Sequence, residues 1–158
     1  TQSNTQKIYV GAEKVAAPKT HEQAVAAIQN GEFFFSYSES GDVVVEYDIN
    51  SLITFTEKKD KSYSNNRALR VLDTFAENIR ANFPPNKYNN NETGWDIMDG
   101  MGRAILKQFY EAGAIQNVDY SSDFAVDRGI SKGDSTYFNV AIEPVDSAEK
   151  LYFTIKTR

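Results

Sequence analysis

RALRVLDTFAENIRANF, residues 67–83, is the stretch that decides the fold of this chain. Apolar residues recur in it at spacings of three and four, which is the period of a helix with one apolar face. Two prolines follow, and the residue before a proline is pushed out of helical backbone angles. We therefore predict an α-helix over about 67–83. Its inward positions are Leu69, Leu72, Phe75 or Ala76, Ile79 and Phe83.

A second long helix is predicted after the asparagine-rich loop at 89–91. Thr93 followed by Asp96 resembles an N-terminal capping pattern, and Gly113 marks the end. Gly100 and Gly102 each weaken a helix by about 1 kcal/mol relative to alanine, but they let another backbone approach closely. The inward residues are predicted to be Ile97, Met101, Ile105 and Phe109.

The remaining elements are shorter. Thr20 with Gln23 forms a capping box that opens a helix over about 20–30. Two β-rich runs, 33–35 and 43–45, flank a turn cluster and predict a hairpin covered on both faces. Further strands are predicted near 7–10, 123–127 and 137–143, and from 151 to the last residue, with a turn at 144–147.

These elements predict an α+β domain, in which two long central helices and a short one pack on a mixed, mainly antiparallel sheet. We expect residues 1–19 to form an N-terminal arm or linker, residues 20–143 the core domain, and residues 144–158 a C-terminal strand or arm. A chain of 158 residues is long enough to bury a core without disulfides or metals. Because the first residue is Thr1 and not methionine, we expect a piece of a longer polypeptide.

Composition argues against several functional classes. The net charge is −5, whereas nucleic-acid binders usually carry a basic surplus that neutralises phosphates. No apolar run approaches the ~20 residues that cross a bilayer, so we expect no membrane partner. The chain has no cysteine, which excludes disulfides and cysteine-based zinc sites.

Candidate catalytic and metal sites are weak. His21 is the only histidine, and no nucleophile motif accompanies it. Asp96 and Asp99 share a helix face and would suit acid–base chemistry near Trp95, but capping the helix and complementing its positive end explain both aspartates. Three aspartates at 119, 123 and 127 lack the spacing of a calcium loop. We predict no catalytic residue, cofactor or metal.

The C-terminal run has the form of a strand that can join another sheet. Leu151, Phe153 and Ile155 alternate with polar or aromatic residues, as in β-augmentation. Its basic residues contrast with residues 99–149, which hold nine acidic and four basic residues, so head-to-tail contact between copies is favoured. Completion of the chain's own sheet is an alternative. The predicted inter-subunit residues are Leu151, Tyr152, Phe153, Thr154, Ile155, Lys156 and Arg158, with Trp95 as an interface anchor.

The chain carries an N-R-x-x-R-x-L-D element at 66–73 and a P-V-D-S-x-E-K-L-Y ending at 144–152. These and several other stretches resemble the C-terminal region of phage tail sheath proteins from contractile prophages of Gram-positive bacteria. The likeness spans nearly the whole chain in the same order. Residues 84–98 follow the family pattern only loosely, and Ala148 stands where methionine is expected. The quoted stretches are Asp48–Leu52, Phe55-Thr56, Asn66–Asp73, Gly113–Asn117 and Pro144–Tyr152.

The resemblance implies a virion structural protein that assembles into stacked rings around a tail tube. Its partners would be neighbouring sheath subunits and the tube protein, and it would reach the virion tail after assembly in the host cytoplasm. It implies terminal arms that add strands to a sheet shared with neighbours. The alternatives are another tail, baseplate or contractile-secretion component and, from a different class, a small-molecule binding module or enzyme that uses Trp95, Asp96 and Asp99.

Overall fold

The computed structural model describes residues 2–57, 59–149 and 151–156, and its architecture is α+β. The chain divides into two compact units. The first unit comprises the described residues within 1–69 and 146–158, and the second unit comprises residues 70–145. The helices are α1 (His21–Gln29), α2 (Asn66–Asn82) and α3 (Glu92–Glu111), with a 3-10 helix at Lys61–Ser64; the strands are β1 (Phe35–Tyr37), β2 (Val43–Val45), β3 (Ile115–Gln116), β4 (Phe124–Val126), β5 (Phe138–Val140) and β6 (Glu143–Pro144).

The first unit is built around the predicted hairpin. β1 pairs with β2 in antiparallel register, with Phe35 opposite Val45. Residues 6–9 run along the other edge of β2, where the amide of Gln6 donates to the carbonyl of Val45 at 2.7 Å and the amide of Tyr9 to that of Val43 at 2.8 Å. All three residues of β2 are buried. The hairpin is therefore confirmed, but only β2 is covered, since Tyr37 of β1 is 45% exposed. The strand predicted near 7–10 is reduced to a single bridge between Ile8 and Val44.

The predicted capping box of α1 is present, because the Thr20 hydroxyl accepts from the amide of Gln23 while the Gln23 side chain accepts from the amide of Thr20. The helix buries only Ala27, although its sequence offers a wider apolar face. Val25 remains 41% exposed. α1 is thus stabilised at its N-terminus by local hydrogen bonds more than by packing.

The second unit has a conventional aromatic and aliphatic core. The rings of Phe75 and Phe109 meet edge to face, with centroids 5.1 Å apart. α3 lies against β4, and a Cβ added at Gly102 would stand 1.9 Å from the ring of Phe124. The core residues are Val71, Phe75, Ile105, Leu106, Phe109, Ala114, Ile115 and Phe124.

Details of three predictions are wrong. The described residues form three separate two-stranded antiparallel sheets, β1–β2, β3–β6 and β4–β5, and not one mixed sheet. α3 begins at Glu92, because the Asn91 side chain accepts from the amide of Gly94 and caps the helix two residues before the predicted capping residue Thr93. Ile97, predicted to be buried, is 55% exposed, while Met98 is buried in its place.

Candidate interaction surfaces

The C-terminal segment, defined as residues 151–156, is the most exposed apolar stretch that the structure describes. Leu151 is 67% exposed, Phe153 82% and Ile155 91%. None of these six residues belongs to a strand, so the segment does not complete a sheet of its own chain. Tyr152, Thr154 and Lys156 are exposed as well, and Arg158 lies outside the described residues. Pairing of the segment with another copy stays a prediction.

An unpaired strand edge lies on β1. The amide of Glu46 donates to the carbonyl of Phe34 at 3.1 Å, and that of Ser38 to the carbonyl of Asp42 at 2.9 Å. In an antiparallel ladder this pattern turns the backbone groups of Phe35 and Tyr37 away from β2. Among the described residues, no backbone hydrogen bond reaches them from outside the hairpin. A further strand has donors and acceptors available at this edge.

The C-terminal segment begins at a polar junction in the first unit. Glu149 Oε1 accepts from the Ser3 hydroxyl at 2.7 Å and from the Thr5 hydroxyl at 2.8 Å. The Thr5 hydroxyl in turn accepts from the amide of Asp48 at 3.0 Å, and Asp48 Oδ2 accepts from the amide of Asn4 at 2.8 Å. Asp48 is only 2% exposed. This junction, defined as Ser3, Asn4, Thr5, Asp48 and Glu149, joins the two terminal stretches of the first unit.

Trp95 is partly buried and held within the second unit. Its indole Nε1 donates to Asn90 Oδ1 at 2.6 Å, and the Asn90 amide donates to the carbonyls of Gly133 and Ser135, each at 3.0 Å. The guanidinium of Arg128 lies 6.0 Å from the centre of the indole ring. Trp95 is thus linked, through the Asn90 side chain, to the loop that joins β4 and β5. Its predicted role as an interface anchor stays a prediction.

The two aspartates considered for acid–base chemistry both bind Arg128. Its guanidinium donates to Asp96 at 2.7 Å and to Asp99 at 3.0 Å, and to Glu92 at 2.5 Å. The hydrogen bonds to Asp96 and then Asp99 raise the pKa of Arg128 above its ordinary value. Asp99 is buried and also accepts from the amide of Val126 at 2.7 Å. Asp96 does not cap α3; both carboxylates hold the β4–β5 hairpin to the start of that helix.

The three aspartates at 119, 123 and 127 form turns. Asp119 accepts from the amide and the hydroxyl of Ser121, and these bonds, with one from Ser122, lower the pKa of its carboxyl. Asp123 accepts from the amide of Asp119 at 2.7 Å. Within the described residues, no group of three or more metal-binding side chains comes together.

A groove of about 830 Å³ lies in the first unit, between α1 and the stretch 46–65. Its apolar lining includes Val25, Ile53 and Phe55, which are all more than two-fifths exposed, and Glu149 lies on its wall. His21 also lines it, but Trp95, Asp96 and Asp99 do not. The groove is therefore not lined by the three residues that were considered for a small-molecule or catalytic site. In the part of the chain that is described, no helix has the length and apolar character to span a membrane.

Comparison with known proteins identifies relatives of one kind. Residues 58–158, more than half of the chain, match the family model of the phage tail sheath C-terminal domain. The phage-like element PBSX protein XkdK of Bacillus subtilis strain 168 is 32% identical over 165 residues, covering 98% of this chain and 35% of the relative. The chain spans 35% and 36% of the lengths of the two curated relatives it matches.

Solved structures agree with this similarity. A sheath tail protein of Desulfitobacterium hafniense superposes with a TM-score of 0.78 at 34% identity, over 96% of this chain and 35% of that protein. The helical sheath of the anti-feeding prophage in its contracted state superposes with a TM-score of 0.73 over 99% of this chain and 45% of that chain. At 15% identity, the second comparison shows a common fold alone.

Proposed function

The chain belongs to the family of phage tail sheath C-terminal domains, and from that premise we propose that it is a structural part of a contractile, prophage-derived tail sheath whose subunits assemble into rings around a tail tube. Its partners are then neighbouring copies of the sheath subunit and the tube protein. Its place is the virion tail, reached after assembly in the host cytoplasm.

A structural and not a catalytic role is supported by what the polar side chains do. The carboxylates of Asp96 and Asp99 are engaged by one guanidinium, and that of Glu149 by two hydroxyls. The carboxylates of an acid–base pair must be free to reach a substrate proton. Large apolar side chains, among them Leu151, Phe153 and Ile155, are exposed, which is the property of a contact surface.

We propose that the C-terminal segment enters a sheet of a neighbouring copy, and that the open edge of β1 receives it. The observation that carries this proposal is the exposure of Leu151, Phe153 and Ile155 in a segment that forms no strand in its own chain. In β-augmentation the backbone supplies hydrogen bonds and alternate side chains set the register. β1 offers the outward groups of Phe35 and Tyr37 for such bonds.

A single segment of this kind binds weakly. Burial of each of the three apolar side chains gains about 1.5–3 kcal/mol, and each new backbone bond adds about 1 kcal/mol. Ordering the backbone costs roughly 1–2 kcal/mol per residue, which nearly cancels the gain. Many segments linked in one lattice hold by multivalency, so assembly is expected to be cooperative.

Electron microscopy of the product of the gene that encodes this chain tests the proposal. We expect tubes from the wild type and none from a variant that carries Leu151→Ser, Phe153→Ser and Ile155→Ser. Thermal unfolding of the unassembled variant should be unchanged, because these side chains are already exposed. A variant with Tyr152→Ser and Thr154→Ala, on the alternate face, is the matched control and should keep forming tubes.

The receiving edge is tested at Tyr37. Proline there removes an outward amide while the β1–β2 bonds formed by residues 34 and 38 remain, and prolines are tolerated on strand edges. We expect Tyr37→Pro to prevent tube formation and Tyr37→Ala to permit it. Tubes formed by the triple serine variant, or a product that stays monomeric at every concentration, would contradict the proposal.

A further inference from the structure

We infer that Glu149 is a positioning residue, which sets the direction in which the C-terminal segment leaves the junction, and that Ser3 and Thr5 hold Glu149 in place. The importance of that direction for assembly rests on the proposed function. The contacts themselves are independent of it.

The hydroxyl groups of the junction form a short hydrogen-bonded network that ends on Glu149. A hydroxyl has a single proton to donate and can also accept. Thr5 Oγ1 accepts from the amide of Asp48, and Ser3 Oγ accepts from the amide of Thr5 at 3.2 Å. The Thr5 proton then points to Glu149 Oε1 at 2.8 Å, and the Ser3 hydroxyl lies 2.7 Å from the same oxygen and 3.0 Å from Thr5 Oγ1. The position therefore requires an acceptor, and a carboxylate receives both bonds in their stronger, charge-assisted form.

The junction is tied to the most buried strand of the first unit. Asn4 donates to the buried carboxylate of Asp48, and the next residues along the chain pair with β2 through Gln6 and Tyr9. Asp48 lies three residues beyond the end of β2, and its carbonyl accepts from the amide of Asn66 at the start of α2 at 3.0 Å. Glu149 is consequently fixed to a rigid part of the unit.

Beyond Glu149, the described part of the chain has no further attachment. Residues 151–156 form no hydrogen bond, ion pair or aromatic contact with other described residues. Glu149 is therefore the last described anchor before the segment. A segment whose origin is fixed searches a smaller volume for its neighbour, so anchoring reduces the entropy lost on pairing.

Distance measurements between two spin labels test this inference on the complete 158-residue chain, which has no cysteine to interfere. Labels are placed at Glu39→Cys, in the β1–β2 turn, and at Thr154→Cys, in the C-terminal segment; both positions are exposed. We expect Glu149→Ala to broaden the distance distribution. Amide exchange at residues 4–6, whose amides are hydrogen-bonded at or beside the junction, should rise on the order of five- to tenfold, the change produced by losing about one net hydrogen bond.

Two variants separate positioning from loss of charge. Glu149→Gln keeps a carbonyl acceptor for the two hydroxyls and should stay close to the wild-type distribution. Glu57→Ala removes the same charge from an exposed glutamate of the first unit and should change nothing. The pair Ser3→Ala and Thr5→Val should broaden the distribution as Glu149→Ala does, and combining all three changes should add little.

Unchanged width in Glu149→Ala, or equal broadening in Glu57→Ala, would overturn the inference. The measurement is made on unassembled chains, so its outcome is independent of tube formation. If Glu149→Ala broadens the distances yet tubes form normally, the positioning role stands and its importance for assembly fails.

Discussion

The two units of the chain are stabilised in different ways. In the second unit, large side chains from α2, α3 and β4 are enclosed, with Leu106 fully buried and Phe124 only 2% exposed. In the first unit, the buried apolar residues are small, three valines of β2 and the alanines at 27 and 68, while larger ones such as Phe55 and Ile53 are about half exposed. There, backbone pairing and buried polar contacts supply much of the order.

This difference indicates that the second unit contributes mainly stability and the first unit mainly surface for contacts. A unit that encloses its own large side chains is stable by itself, because burial of a large apolar side chain contributes about 1.5–3 kcal/mol. A unit that leaves such side chains on its surface has apolar area available for partners. The C-terminal segment and the open edge of β1 both belong to the first unit. We therefore expect core substitutions to act on folding in the second unit and surface substitutions to act on assembly in the first.

The largest effect is expected at Gly102. The added methyl group of Gly102→Ala would overlap the ring of Phe124, and overpacking of this kind costs about 1–3 kcal/mol. Gly100→Ala is the matched control on the same helix, because a Cβ there meets nothing within 4 Å. It should stabilise the chain by about 0.5–1 kcal/mol through helix propensity. Chemical denaturation that ranks the two variants equally would show that the second unit is not tightly packed at this point.

An effect of similar size, confined to the first unit, is expected at the buried polar residue Asp48. Asp48→Asn keeps one oxygen but directs an NH₂ group at either the amide of Asn4 or the side chain of Asn66, which are both donors. An unsatisfied buried donor costs about 1–3 kcal/mol. Hydrogen exchange should accelerate at residues 4–9 and remain unchanged at β4. Uniform acceleration across both units would contradict the difference drawn between them.

The smallest effect concerns Glu143, at the start of β6. Hydrogen bonds from the side chains of Asn117 and Gln116 lower the pKa of its carboxyl below the ordinary value. A pKa depressed by folding stabilises the folded state above the unfolded-state pKa, and this stabilisation is lost as the pH falls through the folded value. NMR titration should show Gln116→Ala raising the pKa of Glu143. The lowered pKa of Asp119, which depends on Ser121 and Ser122, should not move.

Local signals in the sequence predicted much of the fold. The Thr20–Gln23 capping box, the hairpin around Gly41 and the extent of α2 depend on neighbouring residues, and all three are present. The three- and four-residue spacing in α2 fits more than one choice of buried face, and the predicted face was one residue out of place. Ala68, Val71 and Phe75 are buried, and Leu69 and Leu72 are less so. Asn91, in the asparagine-rich loop, caps α3, and we did not identify it from the sequence as the capping residue.

The contacts that define the candidate surfaces could not be predicted in the same way. Arg128 lies 32 residues from Asp96, and Glu149 lies 146 residues from Ser3. No spacing rule connects residues so far apart, because only the folded chain brings them together. The alternation of Leu151, Phe153 and Ile155 predicted a strand, but residues 151–156 form none in this chain, and alternation does not specify where a partner strand is.

The position of β2 has a mechanical consequence. β1 pairs with one of its edges and residues 6–9 with the other, so β2 has no free edge for a further strand. Any exchange of neighbours must take place at outer backbone groups, such as those of Phe35 and Tyr37. Under the proposed function, a neighbouring strand is exchanged at β1 while the three buried valines of β2 keep both of their pairings.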